Sequence, residues 1–117
     1  MEDIVIASAA RTPIGAFNGG LSPLPAHDLG EVAIRAALDR AAVAADEVDE
    51  VILGQILTAA AGQNPARQAA VNAGIPVERT ALGINQLCDR ACARWPWAPK
   101  RLAWATPRSW SSAVRKA

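Results

Sequence analysis

The sequence predicts an α/β fold in which parallel strands are joined by crossover helices. Three short apolar runs alternate with two segments of helical character along the first 85 residues. The resulting order, strand–helix–strand–helix–strand, is typical of an α/β sheet, because each parallel strand is reached through a connection that crosses the sheet. The 117 residues have room for one domain at most, and no internal repeat is visible.

The three predicted strands are apolar runs bounded by polar or glycine-containing segments. They are residues 4–7, residues 51–57 and residues 81–85. Short runs of this kind, without a helical period, are typical of strands that are buried in a sheet. We therefore expect the first two to be buried strands, and the third to be a strand that ends just before Cys88.

Two helices are predicted between these strands. The first runs from Pro25 to about Ala42 and has one apolar face. The members of this face are Leu29, Val32, Ala33, Ala36, Ala37 and Ala41. The second begins at Pro65, because proline suits the first turn of a helix, and runs to about Asn72, where Gly74 then stops it.

Composition excludes several classes of protein. The chain is 51% hydrophobic and 20% charged with a net charge of +1, which argues against a disordered chain and against strong steering toward nucleic acid. No apolar run approaches the ~20 residues of a membrane span, and the acidic residues 2–3 are unlike the start of a secretory signal. Two cysteines are too few for a disulfide framework, so a cytoplasmic location is expected.

The composition changes abruptly after Cys88. Residues 1–88 hold 5 Arg, no Lys and 10 acidic residues, a net charge of −5, whereas residues 89–117 hold 7 basic residues and 1 acidic residue, a net charge of +6. All 8 glycines precede residue 89, and all 4 tryptophans follow it. No property of a single folded domain requires this switch. Either two unrelated segments are joined, residues 1–88 and residues 89–117, or the second was never selected as protein. We expect residues 89–117 to be an irregular, disordered tail.

Cys88 is the main candidate for catalytic chemistry. It follows the third predicted strand, and a helix beginning there would stabilise the thiolate through its N-terminal amides and lower the pKa of the thiol. That placement suits a cysteine nucleophile. A buried structural cysteine, which behaves as a small hydrophobic side chain, is the alternative that the spacing leaves open.

Other candidate sites have less support. Cys88, Cys92 and His27 are three potential zinc ligands, but structural zinc sites usually need four at recognisable spacing, so no metal site is expected. His27 is expected in the first turn of the first helix, without a catalytic role. The glycine-rich segment 15–20 matches neither a P-loop nor a dinucleotide-binding fingerprint and is predicted to be a loop.

The tail interleaves basic and aromatic side chains between Arg94 and Arg101. Such a stretch can stack on single-stranded nucleic acid or lie at an anionic membrane surface. Three prolines, Pro96, Pro99 and Pro107, interrupt any long amphipathic helix. We favour a non-functional extension over a small binding module, so neither nucleic acid nor a membrane is expected as a partner.

Three blocks in the first 88 of the 117 residues together make a family signature. They are IVIASAARTPIG at residues 4–15, GQNPARQAA at residues 62–70 and NQLC at residues 85–88. In this order and spacing, they resemble the biosynthetic-type thiolases, the acetyl-CoA C-acetyltransferases. The third block matches the one that contains the family's nucleophile, so the resemblance implies that Cys88 is the residue that accepts the acyl group.

The resemblance also implies a fold and a reaction. Thiolases have two similar halves in a layered α-β-α-β-α arrangement, of which this chain would be an N-terminal fragment. They condense two acetyl-CoA molecules to acetoacetyl-CoA and CoA, or run the reverse thiolysis, by covalent catalysis and charge stabilisation. Acyl-CoA and CoA are substrates, no cofactor is implied, and the family forms dimers or tetramers. The family's histidines and second cysteine lie in its C-terminal half, and His27 matches none of them.

The chain departs from the family directly after Cys88. Thiolases continue with G-S-G-L-R-A and later G-G-x-E-S, whereas residues 89–94 here are DRACAR. A frameshift explains the change. Tryptophan has one codon, so codons read one base earlier turn every tail tryptophan into Leu, Met or Val, and they turn Pro96 into Ala and Ala98 into Gly. With GC-rich third bases chosen throughout, the shifted frame can encode a thiolase continuation that ends in G-G-Q-E-S.

This origin of the tail has a consequence for activity. We expect a single-base deletion after the Cys88 codon, in the gene or in its sequencing. The chain as it stands is then a thiolase fragment with little or no activity, or a non-catalytic fragment altogether.

Overall fold

The structure is a computed structural model that describes residues 5–85. Its elements are helix α1 (Ala26–Ala41), a 3-10 turn (Ala45–Glu47), strand β1 (Glu50–Gly54), helix α2 (Pro65–Asn72) and strand β2 (Thr80–Ile84). β1 and β2 are parallel, with Glu50 opposite Thr80 and Gly54 opposite Ile84. The predicted α/β class, with a helix crossing between parallel strands, is therefore confirmed.

Helix α1 begins and ends within one residue of its predicted bounds. Its C-terminus is closed by Ala42, which adopts the left-handed conformation at φ 51°. The N–H of Val43 donates to the carbonyl of Leu38 at 3.1 Å, which satisfies one of the carbonyls that a helix end leaves unpaired.

The buried face of α1 differs from the predicted one. The fully buried residues are Gly30, Ala33, Ile34, Ala37 and Leu38. Of the predicted face, only Ala33 and Ala37 are among them, and Val32 is 58% exposed. Leu29, Ala36 and Ala41 are half-buried, so the prediction was wrong about Val32 and left out Gly30, Ile34 and Leu38. The reason is that α2 packs against the side of α1 on which Gly30 allows close approach and on which Ile34 and Leu38 fill the core.

Helix α2 has the predicted bounds. Asn64 caps its first turn, Pro65 is the first helical residue, and Gly74 follows its end with a φ of +92°. Glycine reaches positive φ without a steric penalty, so it stops the helix as predicted.

The core lies between α1, α2 and β1. Its larger side chains are those of Ile34, Leu38, Val48, Val51, Leu53 and Ile75, and alanines of α2 fill the space between them. A methyl group at Gly30 would lie 3.0 Å from the Cβ of Ala69 and 3.3 Å from Leu53. The close packing of the two helices therefore depends on a residue without a side chain at this position.

Strand β1 begins one residue earlier and ends three residues earlier than predicted. The backbone N–H of Gln55 still donates to the carbonyl of Ile84 at 2.9 Å, but the side chain of Gln55 then bonds to the carbonyl of Leu57 at 2.8 Å. This local bond turns the chain away from the sheet, so residues 55–57 belong to the crossover loop.

The predicted first strand is absent from the described residues. Residues 5–7 have no strand structure, and Val5 and Ile6 are 70% and 58% exposed. The chain here is held by side chains rather than by a strand ladder. The hydroxyl of Ser8 donates to the carbonyl of Ala37 at 2.6 Å, and Arg40 donates to the carbonyl of Ala9 at 2.6 Å. The apolar run alone therefore does not make a strand, since a strand needs a neighbour to pair with.

Candidate functional site

The candidate site lies at the carboxyl ends of β1 and β2, next to the N-terminus of α2. In open α/β sheets, ligands bind in the crevice outside the carboxyl ends of the strands. β2 ends at Ile84, and Asn85 is the last described residue, three residues before Cys88. Cys88 itself lies outside the described residues, as do Cys92 and the predicted tail, residues 89–117.

A cleft of about 350 Å³ opens at this end of the sheet. It is lined by Leu53, Gln55, Thr58, Gly62, Asn64, Pro65, Ala66, Leu82, Gly83, Ile84 and Asn85. Its walls come from both strands, the crossover loop and the first turn of α2. β2 therefore ends in the wall of a cleft that is largely apolar and carries a few amide groups, a composition typical of small-molecule sites.

Asn64 links three of these walls. It adopts the left-handed conformation at φ 43°, and its side-chain oxygen accepts a hydrogen bond from the N–H of Arg67 at 3.2 Å. Its side-chain nitrogen donates to the carbonyl of Ala81 in β2 at 3.0 Å. The residue thus caps the helix and bonds to the strand at the same time.

Two further amide side chains hold the crossover loop. Gln68 donates to the carbonyls of Ala61 and Gln63 at 3.0 and 2.9 Å. Asn85 donates to the carbonyl of Ile56 at 3.1 Å and so joins the end of β2 to the start of the loop. These bonds satisfy backbone carbonyls that the loop itself leaves unpaired.

Two arginines fix the segment that enters β2. The Arg67 guanidinium donates to the carbonyls of Val77 and Arg79. Arg79 pairs with Asp49 at 2.9 Å and donates to the carbonyl of Asp46 at 2.9 Å. Both ends of β2 are therefore tied to neighbouring elements by side chains.

Sequence reasoning from single residues missed this set of amides and arginines. It treated GQNPARQAA, residues 62–70, as a family block and used Pro65 only as a helix start. A local signal was present, because asparagine is favoured as an N-cap and directly precedes Pro65. The bond from Asn64 to Ala81 spans 17 residues and has no local signal.

The remaining candidates lie away from this cleft. His27 is in the first turn of α1, as expected, with its Nε2 3.3 Å from an Asp28 carboxylate oxygen. Residues 5–85 contain no group of three or more His, Cys, Asp or Glu side chains that could hold a metal ion. Over the same residues, no helix is both long and apolar enough to cross a membrane.

The glycine-rich segment 15–20 is a loop, as predicted. The N–H of Gly19 donates to the carbonyl of Ala16 at 2.9 Å in a tight turn. Ile14 and Phe17 stand out from it, and Phe17 is 96% exposed.

A family profile matches most of the chain. Residues 4–93 match the profile described as "Thiolase, N-terminal domain". The match includes the cleft, all three blocks and the position of Cys88. The chain therefore belongs to the thiolase family.

Curated relatives and a solved structure agree with this family. The acetyl-CoA acetyltransferase of Rhizobium meliloti is 66% identical over 85 residues, 73% of this chain and 22% of that protein. The acetyl-CoA acetyltransferase of Cupriavidus necator is 57% identical over 88 residues, which are 75% of this chain and 22% of that protein. A thiolase from Ascaris suum, solved in complex with coenzyme A, matches with a TM-score of 0.78 and 28% identity, over 97% of this chain and 36% of that one. The chain thus spans about a fifth of the length of these curated relatives.

Proposed function

We propose that this chain carries the N-terminal part of an acetyl-CoA acetyltransferase and that Cys88 accepts the acyl group. The family match that runs through Cys88 to residue 93 is the observation that carries the proposal. Relatives that are 66% and 57% identical are named for this activity. The cleft at the carboxyl end of β2 supports it, since Cys88 follows three residues beyond Asn85.

The proposed acyl transfer exchanges one thioester for another. The sulfur of Cys88 attacks the carbonyl carbon of acetyl-CoA, and the tetrahedral intermediate collapses with cleavage of the bond to the CoA sulfur. The proton of the Cys88 thiol leaves with CoA, which departs as a thiol. In the condensation, the α-carbon of a second acetyl-CoA loses a proton and takes the acetyl group, while the bond to the Cys88 sulfur breaks and the thiol regains a proton. In the reverse thiolysis, the Cys88 sulfur attacks the keto carbon of acetoacetyl-CoA, the carbon–carbon bond breaks and its α-carbon takes a proton to release acetyl-CoA, and the acetyl group then passes to the sulfur of CoA.

The substrates, assembly and location follow from the same proposal. Acyl-CoA and CoA are the ligands, in keeping with the Ascaris suum structure, which contains coenzyme A. The intact enzyme is a homo-oligomer in the cytoplasm. The family resemblance implies a histidine base and a second cysteine in the C-terminal half of the enzyme. His27, which lies in the first turn of α1, is not that histidine.

We also propose that residues 89–117 are encoded out of frame. Residues 1–88 are then a partial domain and residues 89–117 an unrelated tail. The relatives align over 85 or 88 of the 117 residues, close to the 88 residues that precede the change in composition. This origin explains why one segment holds all the glycines and the other all the tryptophans.

Trapping of the acyl-enzyme tests the proposed function. A frame-restored chain, read on from the Cys88 codon with one added base, is incubated with acetyl-CoA and analysed by mass spectrometry. We expect the mass of one acetyl group on the peptide that contains Cys88, together with acetoacetyl-CoA thiolysis. Cys88→Ala should abolish both.

The 117-residue chain itself serves as the control. It should show neither acylation nor thiolysis, and Cys88 and Cys92 should react with iodoacetamide at similar rates. Turnover by this chain, or acylation of the restored Cys88→Ala variant, would contradict the proposal.

A further inference from the structure

Asn18 is followed directly by Gly19, and this pair of residue types occurs once in the chain. The backbone nitrogen of the residue after an asparagine can attack the asparagine side chain, and glycine has no side chain to hinder the approach. The other three asparagines are Asn64, Asn72 and Asn85, and they are followed by Pro65, Ala73 and Gln86. Proline has no N–H to lose, so the sequence singles out Asn18 and excludes Asn64.

The tight turn at residues 16–19 requires this pair. Asn18 has a φ of 51°, a left-handed conformation that asparagine adopts more readily than most residues with a side chain. A methyl group added at Gly19 would lie 2.9 Å from the carbonyl oxygen of Ala16, so glycine is needed there as well. The two residues that allow the turn are therefore also the two that allow the attack.

The Asn18 amide has no protecting contact. Residues 13–18 are exposed, and within the described part of the chain the Asn18 side chain has no hydrogen-bond partner. The side-chain nitrogens of Asn64 and Asn85, in contrast, donate to backbone carbonyls at 3.0 and 3.1 Å. The Asn18 side chain is thus free to rotate toward the nitrogen that follows it, whereas the other two are held.

A single turn bond restrains the attacking nitrogen. The N–H of Gly19 donates to the carbonyl of Ala16 at 2.9 Å, and the attack needs that bond to open. Exposed segments open at little cost in free energy. Asn72 differs, because it is the last residue of α2 and the next N–H, of Ala73, donates to the carbonyl of Ala69 at 3.0 Å. Attack at Asn72 therefore needs the end of a packed helix to open.

We propose that Asn18 is a site of spontaneous deamidation. The backbone nitrogen of Gly19 forms a bond to the side-chain carbonyl carbon of Asn18 and closes a succinimide ring. The bond from that carbon to the side-chain nitrogen breaks, and the nitrogen leaves as ammonia with the proton of the Gly19 N–H. Water then opens the ring at one of its two carbonyls, which gives either aspartate or isoaspartate. Water is the only co-reactant.

The products differ from the parent in charge and in backbone length. Either product adds one negative charge to a chain whose formal net charge is +1. Asn18 lies in the wall of a second cleft, of about 420 Å³, that also includes Arg11. The new carboxylate therefore enters a wall that contains a cation. Isoaspartate in addition lengthens the main chain of the turn by one carbon atom.

Peptide mass spectrometry tests the proposal on the 117-residue chain. The chain is incubated at mildly alkaline pH in water labelled with heavy oxygen and is then digested with trypsin, which places each asparagine in a different peptide. We expect residues 12–35 to lose the amide nitrogen, to gain the labelled oxygen, and to separate into an aspartate and an isoaspartate form. The peptides of the other three asparagines should stay unchanged. Asn18→Gln should abolish the change, because its longer side chain disfavours ring closure.

Ala73→Gly is the matched control for the turn. It creates at the end of α2 the same Asn-Gly-Gly sequence that stands at residues 18–20. In the folded variant, Asn72 should react at least about tenfold more slowly than Asn18, because the helix end must open first. In urea the two rates should become similar. The rate at Asn18 should rise in urea by no more than about tenfold, the ratio that one hydrogen bond supports.

Three results would overturn the proposal. An unchanged peptide of residues 12–35, under conditions in which the chain in urea reacts, would show that the turn protects Asn18. Equal rates at Asn18 and Asn72 in an Ala73→Gly variant that circular dichroism shows to be folded would remove the role of the exposed turn. If that variant does not fold, the parent alone decides, because a rise far above tenfold in urea would contradict the weak restraint at Gly19.

Discussion

The β1–α2–β2 unit, residues 50–84, and the N-terminal segment, residues 5–25, are held in different ways. The unit has a paired strand ladder, a capped helix and buried side chains such as Leu53 and Val51. The segment precedes α1, is held by the side chains of Ser8 and Arg40, and exposes much of its apolar surface. The comparison shows that an apolar run becomes a strand only where another strand completes its hydrogen bonds.

The largest expected effect comes from truncating a leucine in the unit. Leu53→Ala removes a buried side chain that packs between α1 and α2, and we expect a loss of about 2–5 kcal/mol in the free energy of unfolding. Leu24→Ala makes the same change in the N-terminal segment, where the side chain is 44% exposed, and should cost less than about 1 kcal/mol. Urea denaturation followed by circular dichroism measures both. Equal losses would mean that the two regions contribute alike to stability.

Removal of the Arg67 guanidinium should have the next largest effect. Arg67→Met keeps the aliphatic stem but loses the bonds to the carbonyls of Val77 and Arg79, which should cost about 1.5–3 kcal/mol because the donor is charged. Arg35→Met is the control. It loses an exposed bond to the carbonyl of Asn72 and an exposed pair with Glu31, which together should cost about 1 kcal/mol or less. A larger loss for Arg35→Met in the same denaturation experiment would contradict this ranking.

A smaller effect is expected from the glycine that ends α2. Gly74 has a φ of +92°, and a methyl group added there would have no atom within 4 Å, so Gly74→Ala tests backbone strain without a clash. The expected cost is about 1 kcal/mol. Gly20→Ala, at an equally open site in the N-terminal segment where φ is not positive, should be neutral or slightly stabilising. Thermal unfolding measures both variants. If neither changed the melting temperature, the claim that the positive φ at Gly74 requires glycine would be contradicted.

The smallest effect concerns the anchor of the N-terminal segment. Ser8→Ala removes the 2.6 Å bond to the carbonyl of Ala37 and should lower the free energy of global unfolding by about 0.5 kcal/mol, because most of the loss appears as local opening. Amide exchange of residues 5–10 should become faster while that of β1 and β2 stays unchanged. Ser22→Ala, an exposed serine in the same segment, is the control and should leave both unchanged. Faster exchange throughout β1 would show that the segment is part of the same cooperative unit.

The parts of the fold that follow local rules could be predicted from sequence. Pro65 and Gly74 bound α2 through their own backbone preferences, and both predictions were confirmed. The strand at residues 4–7 was predicted wrongly, because its apolar side chains carry no information on whether a neighbouring strand is present. The buried face of α1 was predicted only in part, since Ile34 and Leu38 are selected by contacts with other elements.

Less of the candidate site than of the fold could be predicted from the sequence. The family resemblance pointed to Cys88, which stays a prediction because it lies outside the described residues. The bonds of Asn64 to Ala81 and of Asn85 to Ile56 join residues 17 and 29 positions apart. Such contacts depend on how the crossover places the strands, so no pattern of neighbouring residues could reveal them.

The nucleotide sequence from the Cys88 codon onward is the most direct test of the central claim, that the chain is a thiolase up to Cys88 and is encoded out of frame beyond it. Read with one base added after that codon, the sequence should stay open past the codon for residue 117 and encode G-G-x-E-S. A stop codon in that frame within the tail would contradict the account.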